Sequence, residues 1–172
     1  VVGVDLLDEG GEHVSATRIR GLVRAGRVEA ASGLMGRPLA IVGGVAHGRG
    51  EGTSFGFPTA NIVGDAACCI PDQGVYAGLV TPLAGASRTS FPAAINVGLP
   101  PTFAGGLAPE GAFMEANLIG FSGDLYGADV AVTFLRWLRD SRPFSCVEEL
   151  ERTVLGNIDW VARAFGDQGI SL

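Results

Sequence analysis

The residues best suited to chemistry in this chain are a hydroxyl and an amide that follow a glycine-rich run. From position 43 to position 61 the sequence reads GGVAHGRGEGTSFGFPTAN, which places Thr59 and Asn61 just after several glycines and one histidine. Glycine lets other groups approach backbone N–H groups closely, and successive N–H groups can hold anionic oxygens. The Thr59 hydroxyl and the Asn61 carbonyl are oxygen donors of the kind that Mg²⁺ prefers. The segment therefore predicts a phosphate and magnesium site, although a glycine-rich loop without a ligand would explain the glycine content alone.

A second candidate is a carboxylate in the segment FMEANLIGF. If this segment is a strand, alternation puts Met114, Ala116 and Leu118 on one face and Glu115 on the opposite face. A carboxylate serves as a general base when partial burial holds its pKa near the working pH, and the apolar residues beside Glu115 can supply such burial. The alternation also fits a solvated glutamate on an exposed strand face, so both interpretations stay open at this point.

The segments that carry these residues read as short β-strands separated by Gly, Pro and Asp. The predicted strands are Leu39–His47, Thr59–Val63, Val75–Pro82, Ala93–Val97, Phe113–Ile119 and Asp129–Trp137. Parallel sheets need long crossover connections, usually helices, and no helical pattern lies between these strands. The predicted architecture is therefore mainly β, a small antiparallel barrel or sandwich.

A helical leader precedes the predicted β region. Ser15 can cap a first helix, Gly26 interrupts the pattern, and a second short helix is predicted over residues 28–35. The GRP sequence that follows is a helix stop. It predicts a boundary between a leader of residues 1–36 and a domain of residues 37–172.

A longer helix is predicted at the other end of the chain. Ser145 and Glu148 have the spacing of a capping box, in which each side chain bonds to a free backbone N–H of the helix start. The helix that follows carries an apolar stripe, which should pack on the β domain. The stripe consists of Val147, Leu150, Val154, Ile158, Val161 and Phe165.

Composition excludes several classes of protein. The chain has 172 residues, 47% hydrophobic and 17% charged, which suits one packed domain. It contains no lysine, so a P-loop, a protein-kinase site and pyridoxal chemistry, which each depend on one, are excluded. Magnesium, arginine and backbone N–H groups remain as phosphate ligands.

Charge and hydropathy bear on location and partners. The formal net charge of −6 argues against a nucleic-acid partner, because such proteins normally carry a basic surface. No apolar run approaches the roughly 18 residues of a membrane-spanning helix, and the odd cysteine count is typical of reduced thiols. These features predict a cytoplasmic protein without a membrane partner.

Several motifs occur together in one order: GRPLAIVGGVAHG, GFPTAN, PDQGVYAG, AAINVGLPPTF, EANLIGF and GDLYGADVAVTFLRWLR. Over about residues 36–165 the chain resembles the riboflavin kinase module of the bacterial bifunctional riboflavin kinase/FMN adenylyltransferase family. The resemblance implies a six-stranded antiparallel Greek-key barrel with a C-terminal helix. It also implies transfer of the ATP γ-phosphate to the 5′-hydroxyl of riboflavin, giving FMN and ADP.

The resemblance also implies roles for individual residues. Thr59 and Asn61 match magnesium and phosphate ligands, and Glu115 matches the proposed general base. Arg139 matches an arginine on a flap near the flavin, and Asp159 stands where the last helix approaches the flavin. The implied ATP-binding loop contains Gly43, His47, Gly48, Gly52 and Gly56.

The leader is similar to the end of the family's adenylyltransferase domain, to which the kinase module is normally fused. The main body of that domain is not in this sequence, which begins with Val1, so we expect a fragment of a longer enzyme and no FAD synthesis from this chain alone. Gly44 and Thr53 stand where the family usually has arginines, and Asn117 stands where a histidine is common. These departures leave an alternative: a catalytically weak flavin- or nucleotide-binding paralogue or regulatory module.

Overall fold

Six strands with alternating apolar residues form the framework of the protein. The computed structural model describes residues 7–47, 58–84, 89–98 and 112–171. In chain order the elements are β1 (Asp8–Glu9), β2 (Glu12–His13), α1 (Ala16–Arg24), α2 (Val28–Met35), β3 (Leu39–Ala46), β4 (Ala60–Gly64), β5 (Gly74–Pro82), β6 (Thr89–Val97), β7 (Ala112–Leu118), β8 (Asp129–Arg139), α3 (Val147–Phe165) and β9 (Ile170–Ser171). All six strands predicted from the sequence are present, with shifts only at their ends.

The six strands β3 to β8 close into an antiparallel barrel. Their order is β5-β8-β3-β4-β7-β6, and β6 also pairs with β5, which closes the sheet on itself. The neighbours β3–β8 and β4–β7 are far apart in sequence, as a Greek key requires. The predicted mainly β fold with a six-stranded barrel is therefore confirmed.

The inner faces of the strands form one apolar core. Met114 and Ala116 are fully buried in it, and Leu118 packs against it, so the alternation predicted for this strand is confirmed. Tyr76 and Phe134, among the largest fully buried side chains, meet edge to face with ring centroids 5.4 Å apart. Because the barrel is filled, any ligand must bind outside it.

The leader packs on the outside of the barrel. The Ser15 hydroxyl accepts a hydrogen bond from the Arg18 backbone N–H at 3.2 Å, which confirms the predicted helix cap. The chain turns between α1 and α2 at Gly26, where φ is +71° and a Cβ would come within 2.9 Å of the Tyr76 hydroxyl. The two helices then follow as predicted, and Val28 of α2 belongs to the barrel core. The hairpin of β1 and β2 was not predicted, and its Glu12 carbonyl accepts a hydrogen bond from the Arg18 guanidinium.

The C-terminal helix α3 starts one residue later than the sequence predicted. Cys146, not Ser145, is the N-cap residue, so the predicted capping box of Ser145 and Glu148 is wrong. The shift moves the third helical position to Glu149, whose carboxylate accepts hydrogen bonds from the Ser145 backbone N–H at 3.1 Å and the Ser145 hydroxyl at 2.6 Å. Of the predicted apolar stripe, Val161 is fully buried while Val147 is 49% exposed.

None of the helices in the described ranges combines the length and the apolar character that crossing a bilayer demands.

Candidate active site

Strand register brings three polar side chains together on the outer face of the barrel. Glu115 of β7 lies opposite Asn61 of β4 on one side and opposite Asn96 of β6 on the other. Directly opposite residues in an antiparallel pair have Cβ atoms about 4.5–5.5 Å apart and point to the same face. Each of the three is flanked by a core residue, such as Ile62 beside Asn61, so alternation directs all three outward.

Thr59 completes this group. It lies just before β4, and its hydroxyl donates a hydrogen bond of 2.6 Å to the Glu115 Oε1 atom. Both side chains are partly buried, so Glu115 is not the fully solvated glutamate that its alternation alone allowed. The structure thus brings Glu115 together with Thr59 and Asn61, which lie more than fifty positions earlier in the sequence.

A cavity of about 330 Å³ opens beside Glu115, between the outer face of the barrel and α3. We call it the helix-side cavity. Its barrel wall includes Thr59, Asn96, Glu115 and Asn117, and its opposite wall consists of Arg139, Ser141, Arg142, Phe144, Leu150, Val154 and Asn157. Apolar and aromatic side chains with a few polar groups are the usual lining of a site for a small organic ligand.

A second cavity of about 380 Å³ lies on the other side of Thr59. We call it the loop-side cavity. Thr59 lines both cavities and therefore lies at their junction. Tyr126 lines the loop-side cavity, and the predicted ATP-binding residue His47 stacks on its ring with centroids 3.9 Å apart. His47 therefore lies beside this cavity, at the end of β3.

Arg139 lines the helix-side cavity and carries a buried side-chain donor without a described partner. Its Nε atom is buried and has no hydrogen-bond partner within the described part of the chain. Burial, and next the charge of Arg142, lower the pKa of Arg139, which nevertheless stays protonated at neutral pH. A buried donor without a partner is unfavourable, so this position favours a ligand that offers an acceptor.

The wall of the helix-side cavity that lies opposite the barrel, which we call the outer wall, is held by contacts around Phe144. The guanidinium carbons of Arg139 and Arg142 lie 5.7 Å and 5.1 Å from the centre of the Phe144 ring. Arg142 also forms a 2.8 Å ion pair with Glu149 of α3. The hydrogen bonds from Ser145, and then Arg142, lower the pKa of Glu149 from 4.5 to about 2, so the carboxylate is charged at neutral pH.

Two predicted site residues occupy other places. Gly43 was placed in a nucleotide-binding loop, but it lies inside β3 and pairs with β4 and β8. A Cβ there would come within 2.8 Å of both Ile62 and the Val63 carbonyl, so the glycine permits close strand packing.

Asp159 lies on an exposed face of α3, pairs with Arg163 at 2.6 Å and does not line the helix-side cavity. Its predicted contact with flavin remains untested. Gly48, Gly52 and Gly56 lie outside the described residues.

The sequence interpretation missed Asn157, Asn96 and Phe144. On α3 the cavity is lined by Leu150, Val154 and Asn157, whose spacing of four and three places them on one helix face. Asp159 lies two residues further on, about 200° around the helix. The periodicity that identified the apolar stripe thus contained the signal for Asn157. Phe144 lies in an irregular segment, where no periodicity could have indicated its direction.

Comparison with known proteins gives a family. The flavokinase family model, described as riboflavin kinase, matches residues 35–165. Three similar proteins are each described as bifunctional riboflavin kinase/FMN adenylyltransferase. They come from Bacillus subtilis (33% identity, 88% of this chain, 46% of the relative), Pseudomonas fluorescens (34%, 86% and 45%) and Escherichia coli K12 (32%, 85% and 44%). The chain therefore spans a little under half the length of these relatives.

A solved structure has the same fold. It is described as a macrolide-efflux protein from Streptococcus pneumoniae, with a TM-score of 0.78 and 32% identity over 92% of this chain and 49% of that one. The efflux function in that name is said of the Streptococcus protein alone. What the two share is the barrel that carries the site.

Proposed function

Because the chain belongs to the riboflavin kinase family, we propose that it transfers the γ-phosphoryl group of ATP to the 5′-hydroxyl of riboflavin, giving FMN and ADP. One observation supports this proposal above the others. A carboxylate and a hydroxyl, Glu115 and Thr59, form a 2.6 Å hydrogen bond where two cavities meet. A two-substrate transfer requires such a meeting point, since donor and acceptor must approach the same groups from different directions.

In this proposal the flavin occupies the helix-side cavity. Its volume of about 330 Å³ lies within the range of about 300–1,000 Å³ that is usual for small-molecule sites. Phe144, Leu150 and Val154 supply apolar surface for a ring system, and the unpaired Arg139 donor can bond to a carbonyl oxygen of that ring. The ribityl chain then runs towards Glu115, and the ATP phosphates reach Thr59 from the loop-side cavity.

The reaction follows from these positions. The ribityl hydroxyl oxygen forms a bond to the γ-phosphorus, the bond from that phosphorus to the β–γ bridging oxygen breaks, and ADP leaves with the bonding electrons. The hydroxyl proton passes to Glu115, which accepts a hydroxyl hydrogen from Thr59 in the described structure. Positioned proton transfer of this kind typically contributes about 10²–10⁴-fold to the rate.

A divalent cation, Mg²⁺ in the cytoplasm, fits the donor set. The Thr59 hydroxyl and the Asn61 carbonyl are hard oxygen donors at the start of β4, and Mg²⁺ is commonly held by one or two protein groups together with substrate phosphates. When bound, the cation would neutralise charge on the β- and γ-phosphates. In this proposal Thr59 and Asn61 hold it, and Glu115 keeps the attacking hydroxyl in place.

A second candidate function is a binding module that takes up flavin or nucleotide without efficient transfer. The observation in its favour is Gly44, which stands in β3 opposite Asp129 where the family usually has an arginine. The loss of that cation weakens charge stabilisation near the phosphates, which is a large contribution to phosphoryl transfer.

One assay separates the two candidates. Purified protein is incubated with riboflavin, ATP and MgCl₂, and the flavins are separated by chromatography, with a parallel sample containing EDTA. The kinase proposal expects FMN that increases with protein concentration and disappears with EDTA. Quenching of riboflavin fluorescence without FMN would favour the binding module. If the protein forms no FMN and does not quench riboflavin fluorescence, both candidates are contradicted.

A further inference from the structure

We infer that Asn117 is a positioning residue that holds the Thr59 hydroxyl at the junction of the two cavities. The inference rests on the proposed function and goes beyond it. Asn117 is buried, and its amide Nδ2 atom donates a 2.8 Å hydrogen bond to the carbonyl oxygen of Pro58. A carbonyl oxygen can only accept, so the side-chain amide nitrogen must be the donor in this contact.

The contact lies where regular strand pairing stops. The last pair of the β4–β7 ladder is Ala60 with Ala116, and the same register would next place Thr59 opposite Asn117. Pro58 has no N–H group, so it cannot donate to a continuing ladder. At this point the side chain of Asn117, instead of a backbone group of β7, forms the hydrogen bond that holds the Pro58 carbonyl.

Two residues of β7 thus hold two consecutive residues of the segment that leads into β4. Asn117 bonds to the Pro58 carbonyl, and Glu115 bonds to the Thr59 hydroxyl. The Pro58 carbonyl belongs to the peptide unit that joins Pro58 to Thr59, and this unit is planar. If the carbonyl turns, the Thr59 backbone turns with it and the hydroxyl moves away from Glu115. Asn117 therefore acts through Thr59.

The test is a double-mutant cycle with Asn117→Ala, Thr59→Ala and the double variant, measured as kcat and KM for FMN formation. We expect Asn117→Ala to lower kcat about tenfold, because small displacements of a positioned group are costly, with the riboflavin KM within about twofold. In the Thr59→Ala background the same change should lower kcat less than about twofold, since Thr59 is then no longer there to be placed. If the loss of kcat in the double variant equals the product of the two single losses, the inference is overturned. A raised riboflavin KM with an unchanged kcat in Asn117→Ala would overturn it as well.

Two further variants separate positioning from general destabilisation. Asn117→Leu keeps the number and branching of the side-chain heavy atoms but has no donor, and it should reproduce the kinetics of Asn117→Ala. Ser32→Ala removes another hydrogen bond between a side chain and the backbone, the one that the Ser32 hydroxyl of α2 accepts from the Leu39 N–H at 3.3 Å, and should leave kcat and both KM values unchanged. If Asn117→Leu shows the wild-type kcat, the inferred role is wrong.

A crystal structure of Asn117→Leu tests the placement without reference to activity. We expect the Thr59 hydroxyl to lie beyond hydrogen-bond distance of Glu115 in that variant. An unchanged Thr59–Glu115 hydrogen bond would overturn the inference even if the kinetics change. Absence of FMN from the wild-type protein would contradict the proposed kinase function alone, and the crystallographic result would still decide the role of Asn117.

Discussion

The two walls of the helix-side cavity are built in different ways. The barrel wall, with Glu115 and Asn96, lies on paired strands whose positions are fixed by backbone ladders on both sides. The outer wall consists of Arg139 at the end of β8, the segment that follows it and one face of α3, and side-chain contacts such as Arg142–Glu149 hold it. Rigid strands suit groups that must be placed within a fraction of an ångström, while a docked helix can adjust to a ligand. We therefore place the chemistry on the barrel wall and flavin binding on the outer wall.

The largest effect is expected from Glu115→Gln on the barrel wall. The amide keeps the size of the side chain but cannot take the ribityl proton, so kcat should fall about 10²–10⁴-fold. Riboflavin affinity, measured by fluorescence quenching, should change little, because the outer wall is intact. Unchanged turnover would remove Glu115 from the role of base, and a large loss of riboflavin affinity would contradict the division between the walls.

A smaller effect is expected from Arg139→Leu on the outer wall, and it should fall on the riboflavin KM instead of on kcat. Leucine keeps part of the packing against Phe144 but removes the buried donor that has no described partner. Hydrogen bonds that involve a charged group are worth about 1.5–3 kcal/mol, so the riboflavin KM should rise about tenfold or more while kcat changes less.

The matched control for Arg139→Leu is Arg163→Leu. Arg163 is an exposed arginine of α3 that pairs with Asp159 outside the cavity. Its replacement should leave the riboflavin KM unchanged. Equal effects of the two substitutions would show that net charge, and not the position of Arg139, is responsible.

The same two walls show how far the sequence could be interpreted. Alternation in β7 correctly separated Glu115 from the core residues Met114 and Ala116, because the two-residue period of a strand depends only on local geometry. The family resemblance assigned both Thr59 and Glu115 to the site, and the structure joins their side chains by a hydrogen bond, while their roles in transfer stay predictions. On the barrel wall, local pattern and known family motifs together identified Thr59 and Glu115 but missed Asn96.

On the outer wall the sequence predicted less. The capping box was assigned one residue too early, which paired Ser145 with Glu148 although Glu149 is its partner. Helix starts are commonly misplaced by a residue or two, and each residue turns the helix by about 100°. The orientation of α3 on the barrel depends on tertiary packing, so the position of Arg139, Phe144 and Asn157 around one cavity required the structure.

A third prediction compares two neighbouring residues of α3. Asn157 lines the helix-side cavity, whereas Asp159 lies on the exposed face and pairs with Arg163. Asn157→Ala should raise the riboflavin KM about two- to tenfold, the effect of one hydrogen bond, and Asp159→Ala should leave it unchanged. Titration of each purified variant with riboflavin, followed by fluorescence, measures both. If Asp159→Ala weakens riboflavin binding more than Asn157→Ala does, the result would support the contact of Asp159 with flavin that the family resemblance implied.

The smallest effect concerns the pH dependence of the outer wall. Hydrogen bonds from Ser145, and then Arg142, lower the pKa of Glu149 from 4.5 to about 2 in the folded protein. A lowered folded-state pKa stabilises the fold above pH 4.5, and this stabilisation is lost as the pH falls from 4.5 towards 2. Glu149→Gln should therefore lower Tm slightly at pH 6, by a few degrees at most for such an accessible group, and the difference from wild type should shrink by pH 3.

The difference in Tm between the two proteins is the quantity to measure, because other carboxylates titrate over the same range and their contributions cancel in it. Glu151→Gln is the matched control, since Glu151 is a glutamate of the same helix and Ser145 and Arg142 bond to Glu149 instead. Riboflavin affinity should follow the same pH dependence in wild type, because Arg142 ties the segment that follows β8 to α3 through this carboxylate. A Tm difference that stays constant from pH 6 to pH 3 would mean that Glu149 does not hold the outer wall as a charged group.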